Sequence, residues 1–121
     1  MQPYYVDKVT NYTGTEVKKN VPKSYKRIMT SEEAAQLKEY MAAVVSEGTG
    51  SVLSGRSYTV AGKTGTAEFS TSSKASHAWF VGYAHREDKE DIAVAIVVED
   101  SGSGSEYAVP IAKKIFDAYY Q

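Results

Sequence analysis

HAWFVGYAHREDKEDIAVAIVV, residues 77–98, holds two apolar runs around a charged centre. The first run, HAWFVGYA at 77–84, is apolar on both alternating faces, which predicts a central strand. The second, IAVAIVV at 92–98, has the same character. Between them HREDKED is rich in both charges and is expected to be a solvated hairpin loop. Two strands so joined pair antiparallel. Upstream, YTVAGKTGTAEF at 58–69 is a third strand candidate. The polar loop FSTSSKAS at 69–76 that follows it is expected to be mobile.

Helices are expected on either side of these strands. Thr30 with Glu33 three residues on forms a capping box, and Ala34, Leu37, Met41, Val44 and Val45 recur at helical spacing as a core stripe. Gly48 and Gly50 in EGTG stop that helix. SGSGSE at 101–106 leads into a last helix, with Pro110 in its first turn. Its expected buried stripe is Ala108, Ile111, Ala112, Ile115, Phe116 and Tyr119. Nearer the start, YYVDKVT at 4–10 and TEVKK at 15–19 flank NYTG and predict a short hairpin. The basic, Pro22-containing stretch 20–29 is a connector. The order is hairpin, helix, three meander strands, helix. That is an α+β fold, an antiparallel β-sheet with packed helices.

The chain has 121 residues, 42% hydrophobic and 24% charged, with net charge −1, which suits one domain or part of one. The near-neutral charge argues against a nucleic-acid partner. No apolar run approaches the roughly 20 residues of a membrane span, and the first ten residues do not read as a signal peptide. Cysteine is absent, which excludes disulfides and thiol nucleophiles.

Lys63 raises the question of chemistry, because a lysine within an apolar strand sits at an edge or serves a purpose. A phosphate loop fits poorly: the glycine required five residues before Gly62 is Ser57, and no helix signal follows Thr64. Metal binding by His77 and His85 is not expected, since eight strand residues span about 26 Å. A cleft-edge strand fits better. Thr64 and Thr66 share one face and can hold a carboxylate, Gly65 admits a close backbone approach, and Lys63 adds positive potential. A free edge can also pair with an extended peptide. A plain edge strand whose lysine deters aggregation accounts for the same residues.

Taken together, VVSEGTG, AGKTGTAE and HAWFVGYA, in that order, resemble the penicillin-binding protein transpeptidases. K-T-G is one of the signatures of this class and of class A β-lactamases. The similarity runs from about Tyr4 to the end and is nearest the class B enzymes of the penicillin-binding protein A type. It implies a serine D-Ala-D-Ala transpeptidase that cross-links peptidoglycan, binds penicillin and uses no cofactor. By that resemblance Lys63 supports the catalytic serine and lysine electrostatically. Thr64, Gly65 and Thr66 bind substrate, the threonine hydroxyls taking the carboxylate of a stem peptide or β-lactam. The Thr66 N–H forms half of the oxyanion hole.

The nucleophile is missing. No serine stands three residues before any lysine, and S-x-N is absent as well. Residues 1–121 are therefore expected to be a single partial domain, the C-terminal part of a β-lactamase/transpeptidase-like fold, and inactive alone. Uncovered sheet surface is expected to favour self-association. The resemblance places the parent protein outside the bacterial cytoplasmic membrane on an N-terminal anchor, with a glycan polymerase as a partner. The alternatives are a serine β-lactamase or β-lactam sensor domain, and a non-catalytic binding module of the same fold.

Overall fold

A computed structural model describes residues 2–68 and 76–121. All of the polar loop at 69–76 except Ser76 lies outside the described residues. The chain divides into two compact units, Met1–Ala34 and Ala35–Gln121.

In the first unit β1 (Lys8–Thr10) pairs antiparallel with β2 (Glu16–Lys19). The Asn11 side chain organises the turn: its Oδ1 accepts from the Thr13 N–H (3.0 Å) and the Thr15 N–H (2.9 Å). Gly14 takes the left-handed conformation that closes it, φ 86°. Asn20 and the residues beside it tie back to the start of the chain, its N–H donating to the Asp7 carbonyl at 2.8 Å. The capping box forms as expected. The Thr30 N–H donates to Glu33 Oε2 (2.7 Å) and the Glu33 N–H to Thr30 Oγ1 (3.2 Å), starting α1 (Ser31–Ser46).

The second unit is built on a three-stranded antiparallel sheet of β3 (Thr59–Ala67), β4 (His77–Arg86) and β5 (Lys89–Val98), in that order. One face of it is the core. Val60, Ala78, Phe80, Ala84 and Ile96 pack there with Val45, with Leu53 of the short 3₁₀ turn Ser51–Leu53, and with α2 (Val109–Tyr119). Gly62 lies opposite Gly82. A Cβ at either would come within 2.4 or 2.7 Å of the Phe80 ring. Two facing glycines thus make the floor on which this fully buried ring rests.

Three expectations need correction. HREDKED is not a loop, because β4 and β5 extend through it and only Glu87 and Asp88 turn the chain. Its basic residues hold the end of α2. Arg86 donates to the Tyr120 carbonyl at 2.5 Å with its guanidinium 5.0 Å from that ring's centre. Lys89 donates to the Tyr119 carbonyl. Cations at helix C-terminal carbonyls satisfy the groups that the last turn leaves orphaned.

The stripe on α2 is also rotated. Ala108, Ala112 and Phe116 are buried as expected and Val109 and Tyr120 join them, while Ile111 and Ile115 are 39% and 37% exposed. On α1, Val45 is buried but Leu37 is 45% exposed. Trp79, Val81 and Val97, on the sheet face away from the core, are exposed.

Candidate functional site

The K-T-G-T stretch occupies the second half of β3, whose far side has no strand partner among the described residues. Lys63 is exposed, and its Nζ donates to the Thr64 carbonyl at 2.7 Å. It forms no ion pair among the described residues, so its charge is available to a ligand. Thr64 and Thr66 point to the core side of the sheet, in register with Phe80 and Ala78. Their environments differ: Thr64 is buried and Thr66 is exposed, since the core ends between them. Gly65 pairs with Trp79, whose Cβ would be 3.2 Å from a Cβ there. All four site residues expected from the sequence therefore lie together, with Lys63 on the opposite face from the two threonines.

Two contacts at this strand are not legible in the sequence. Thr49, in the turn after α1, has its hydroxyl 2.6 Å from that of Thr64. The signal was the EGTG stop itself, whose threonine reads as turn filler until the fold brings it to β3. The second contact is Gly104, in the π-helical turn Gly104–Ala108 that precedes α2. A Cβ at Gly104 would stand 2.4 Å from the Trp79 carbonyl oxygen and 2.6 Å from that of Gly65. Only glycine lets this turn lie against the backbone of β3 and β4.

Other chemistry lies away from this edge. His77 and His85 occupy opposite ends of β4, where His77 Nδ1 accepts from the Asp100 N–H (3.1 Å) and His85 Nδ1 is 2.6 Å from Asp91. At the opposite end of β3 a concavity of about 490 Å³ is lined by residues that include Arg56, Tyr58, His85 and Asp88. Nearby, burial first and the Asp117 carboxylate second push the Tyr58 hydroxyl well above its usual pKa. The Tyr58 hydroxyl donates to Asp117 at 2.6 Å. Hydrogen bonds from Lys113 and then Tyr58 hold the Asp117 carboxyl below the usual carboxylate range.

This α+β arrangement, an antiparallel sheet with helices packed on one face and K-T-G-T on an edge strand, is that of a transpeptidase-like fold. Within that class, residues 1–117 match the penicillin binding protein transpeptidase domain, and the chain belongs to that family.

It is 39% identical over 103 residues to penicillin-binding protein 3 of Bacillus subtilis, a match covering 78% of this chain and 15% of that protein. It is 35% identical over 101 residues to the peptidoglycan D,D-transpeptidase MrdA of Haemophilus influenzae, covering 72% of this chain and again 15% of the relative. Among solved structures it is similar to the D,D-transpeptidase domain of a peptidoglycan glycosyltransferase from Eggerthella lenta. There the TM-score is 0.79 at 34% identity, over 96% of this chain and 26% of that one. The penicillin G acyl-enzyme complex of penicillin-binding protein A from M. tuberculosis matches with a TM-score of 0.81 at 28% identity, over 98% of this chain and 27% of that one. The chain thus spans about a seventh of the curated relatives and about a quarter of the solved chains it matches.

Proposed function

We propose that this chain is the K-T-G-bearing, C-terminal portion of a peptidoglycan D,D-transpeptidase domain, and that its serine nucleophile lies on a part of the protein outside these residues. The observation that carries the reading is the K-T-G-T stretch on the unpaired edge of β3, with Lys63 and Thr66 both exposed. The matched M. tuberculosis protein forms acyl-enzymes with β-lactams, and we extend that chemistry here.

In this reading the serine oxygen attacks the carbonyl carbon of the penultimate D-alanine and gives up its proton to a neighbouring base. The carbonyl becomes an oxyanion, and its collapse breaks the peptide bond and expels the terminal D-alanine, which takes up a proton. An amine from a second stem peptide then attacks the acyl carbon and loses a proton to the base. The ester bond breaks, and the serine oxygen regains its proton as the cross-link forms. Residues two apart on a strand direct their N–H and C=O groups to the same edge. The Thr66 N–H therefore issues from the side on which the Thr64 carbonyl meets Lys63. There it donates to the oxyanion; loss of one such donor costs about 10²–10³-fold in rate. Thr64 and Thr66 hold the substrate carboxylate, Gly65 leaves room for its backbone, and Lys63 supports the serine and its base electrostatically.

The parent protein would act outside the cytoplasmic membrane on an N-terminal anchor, alongside a glycan polymerase. None of the helices among the described residues is long and apolar enough to cross a membrane. The test is intact mass spectrometry with penicillin. The full-length product of the source gene is expected to gain a stoichiometric adduct and the 121-residue chain none. An adduct on the short chain, or none on the long one, would sink the proposal. Rapid loss of the adduct from the full-length protein would favour a β-lactamase instead.

A further inference from the structure

The carboxylate role just proposed for Thr64 leaves one feature unexplained: its hydroxyl is buried against another hydroxyl. We infer that Thr49 is a positioning residue that aims the Thr64 proton at the substrate carboxylate, an inference that rests on the transpeptidase reading.

The two Oγ1 atoms are 2.6 Å apart in a part-buried contact, at the short end of the O–H···O range. Thr49 is held from both sides. The Gly50 N–H donates to the Val44 carbonyl at 3.0 Å, and the Ser51 N–H donates to the Gly48 carbonyl at 3.2 Å. Glycines flank Thr49 because a Cβ at Gly48 or Gly50 would lie 3.0 or 3.2 Å from the Val44 carbonyl oxygen. The turn is therefore folded tightly onto the end of α1, and it delivers one hydroxyl to one partner.

A threonine hydroxyl carries one proton and two acceptor lone pairs, whereas a carboxylate only accepts. If Thr64 gave its proton to Thr49, it would face the carboxylate with lone pairs and repel it. When Thr49 donates instead, Thr64 Oγ1 is satisfied as an acceptor and its proton is left for the ligand. Thr49 is exposed, so water can serve its own lone pairs. The chain of donors then runs Thr49 to Thr64 to carboxylate, each bond polarising the next.

The experiment uses the full-length protein and compares acylation by penicillin G with acylation by its methyl ester, which lacks the anion. Thr49→Val is expected to slow acylation by the free acid roughly three- to tenfold, the value of about one net hydrogen bond. It should slow the ester distinctly less, because the neutral ester carbonyl accepts the aimed proton more weakly than the anion does. Thr49→Ser keeps the hydroxyl and should behave as wild type. Thr49→Ala serves the same comparison should the valine variant not fold. Equal slowing with acid and ester marks a merely structural role and overturns the inference, as does no change with the free acid, or a serine variant that behaves like valine. Wild-type protein that penicillin G fails to acylate would remove the transpeptidase reading itself, a different result from any of these.

Discussion

Gly62 and Gly82 face each other across β3 and β4 with the Phe80 ring over both, so each is glycine for want of space rather than for a turn. Gly62→Ala would drive a methyl to 2.4 Å from Phe80 Cζ, in a core where that ring has no exposure. Overpacking of this kind costs about 1–3 kcal/mol or more. Urea unfolding should show that loss, and a variant as stable as wild type would mean the ring has somewhere to move. The glycine next to Lys63 could be quoted from the sequence, but its partner ring could not. Likewise alternation placed Thr64 and Thr66 on one face, yet only packing shows that one is buried and the other open. Tyr58 gives a pH signature. Its raised pKa means the folded state holds the phenolic proton more tightly than the unfolded chain. That contribution is complete below about pH 10, the ordinary tyrosine value, and is lost as pH climbs above it. The lowered Asp117 carboxyl has the opposite sign: its contribution is complete above the ordinary carboxylate range and lost as pH falls through the depressed value. Tyr58→Phe should therefore flatten the alkaline fall in stability, read by urea unfolding between pH 8 and 11. An unchanged alkaline limb would show that the Tyr58–Asp117 bond does not act this way.

The strands were legible as elements because their apolar runs are long and the turn residues around them polar. What misled was the charge in HREDKED. Charged residues mark loops in general, but here Arg86 and Lys89 have partners over thirty and about thirty residues away at the end of α2, which no local pattern can announce. The α2 stripe failed at Ile111 and Ile115 for a related reason. Composition favours burying Ile111 and Ile115, yet the helix meets the sheet through Val109, Ala112, Phe116 and Tyr120. The Tyr120 hydroxyl fixes that phase by donating to the Ala84 carbonyl at 2.8 Å on β4. Arg86→Ala should then loosen the end of α2 by about 1–3 kcal/mol, combining a charge-assisted hydrogen bond with a cation–π contact. Hydrogen exchange is the sharper readout: protection at the C-terminal end of α2 should fall while that of β4 stays. Uniform loss across the sheet would mean Arg86 supports the whole core rather than the helix end.

At the scale of the molecule, the second unit leaves an apolar surface and two strand edges open among its described residues. Trp79, Val81 and Val97 are 39%, 43% and 46% exposed on the sheet face away from the core. They adjoin one another, since Trp79 pairs with Val97 and Val81 with Ala95. A contiguous apolar face marks a site meant to be covered. In the proposed parent protein the remaining part of the domain would cover it. In the 121-residue chain the available cover is a second copy. The two edges differ as templates. β3 carries Lys63, which discourages pairing. β5, past its charged start at Lys89 to Asp91, carries no charge from Ile92 to Val98, so it is the edge expected to add a strand. Light scattering should therefore show a mass that rises with concentration. Val97→Lys, which puts a charge on the exposed face of β5, should lower it towards the monomer without unfolding the core, because Val97 is not among the buried residues. A monomer at every concentration would mean that the open face is tolerated in water. An associating V97K variant would move the contact away from β5, towards β3 or the hairpin of the first unit.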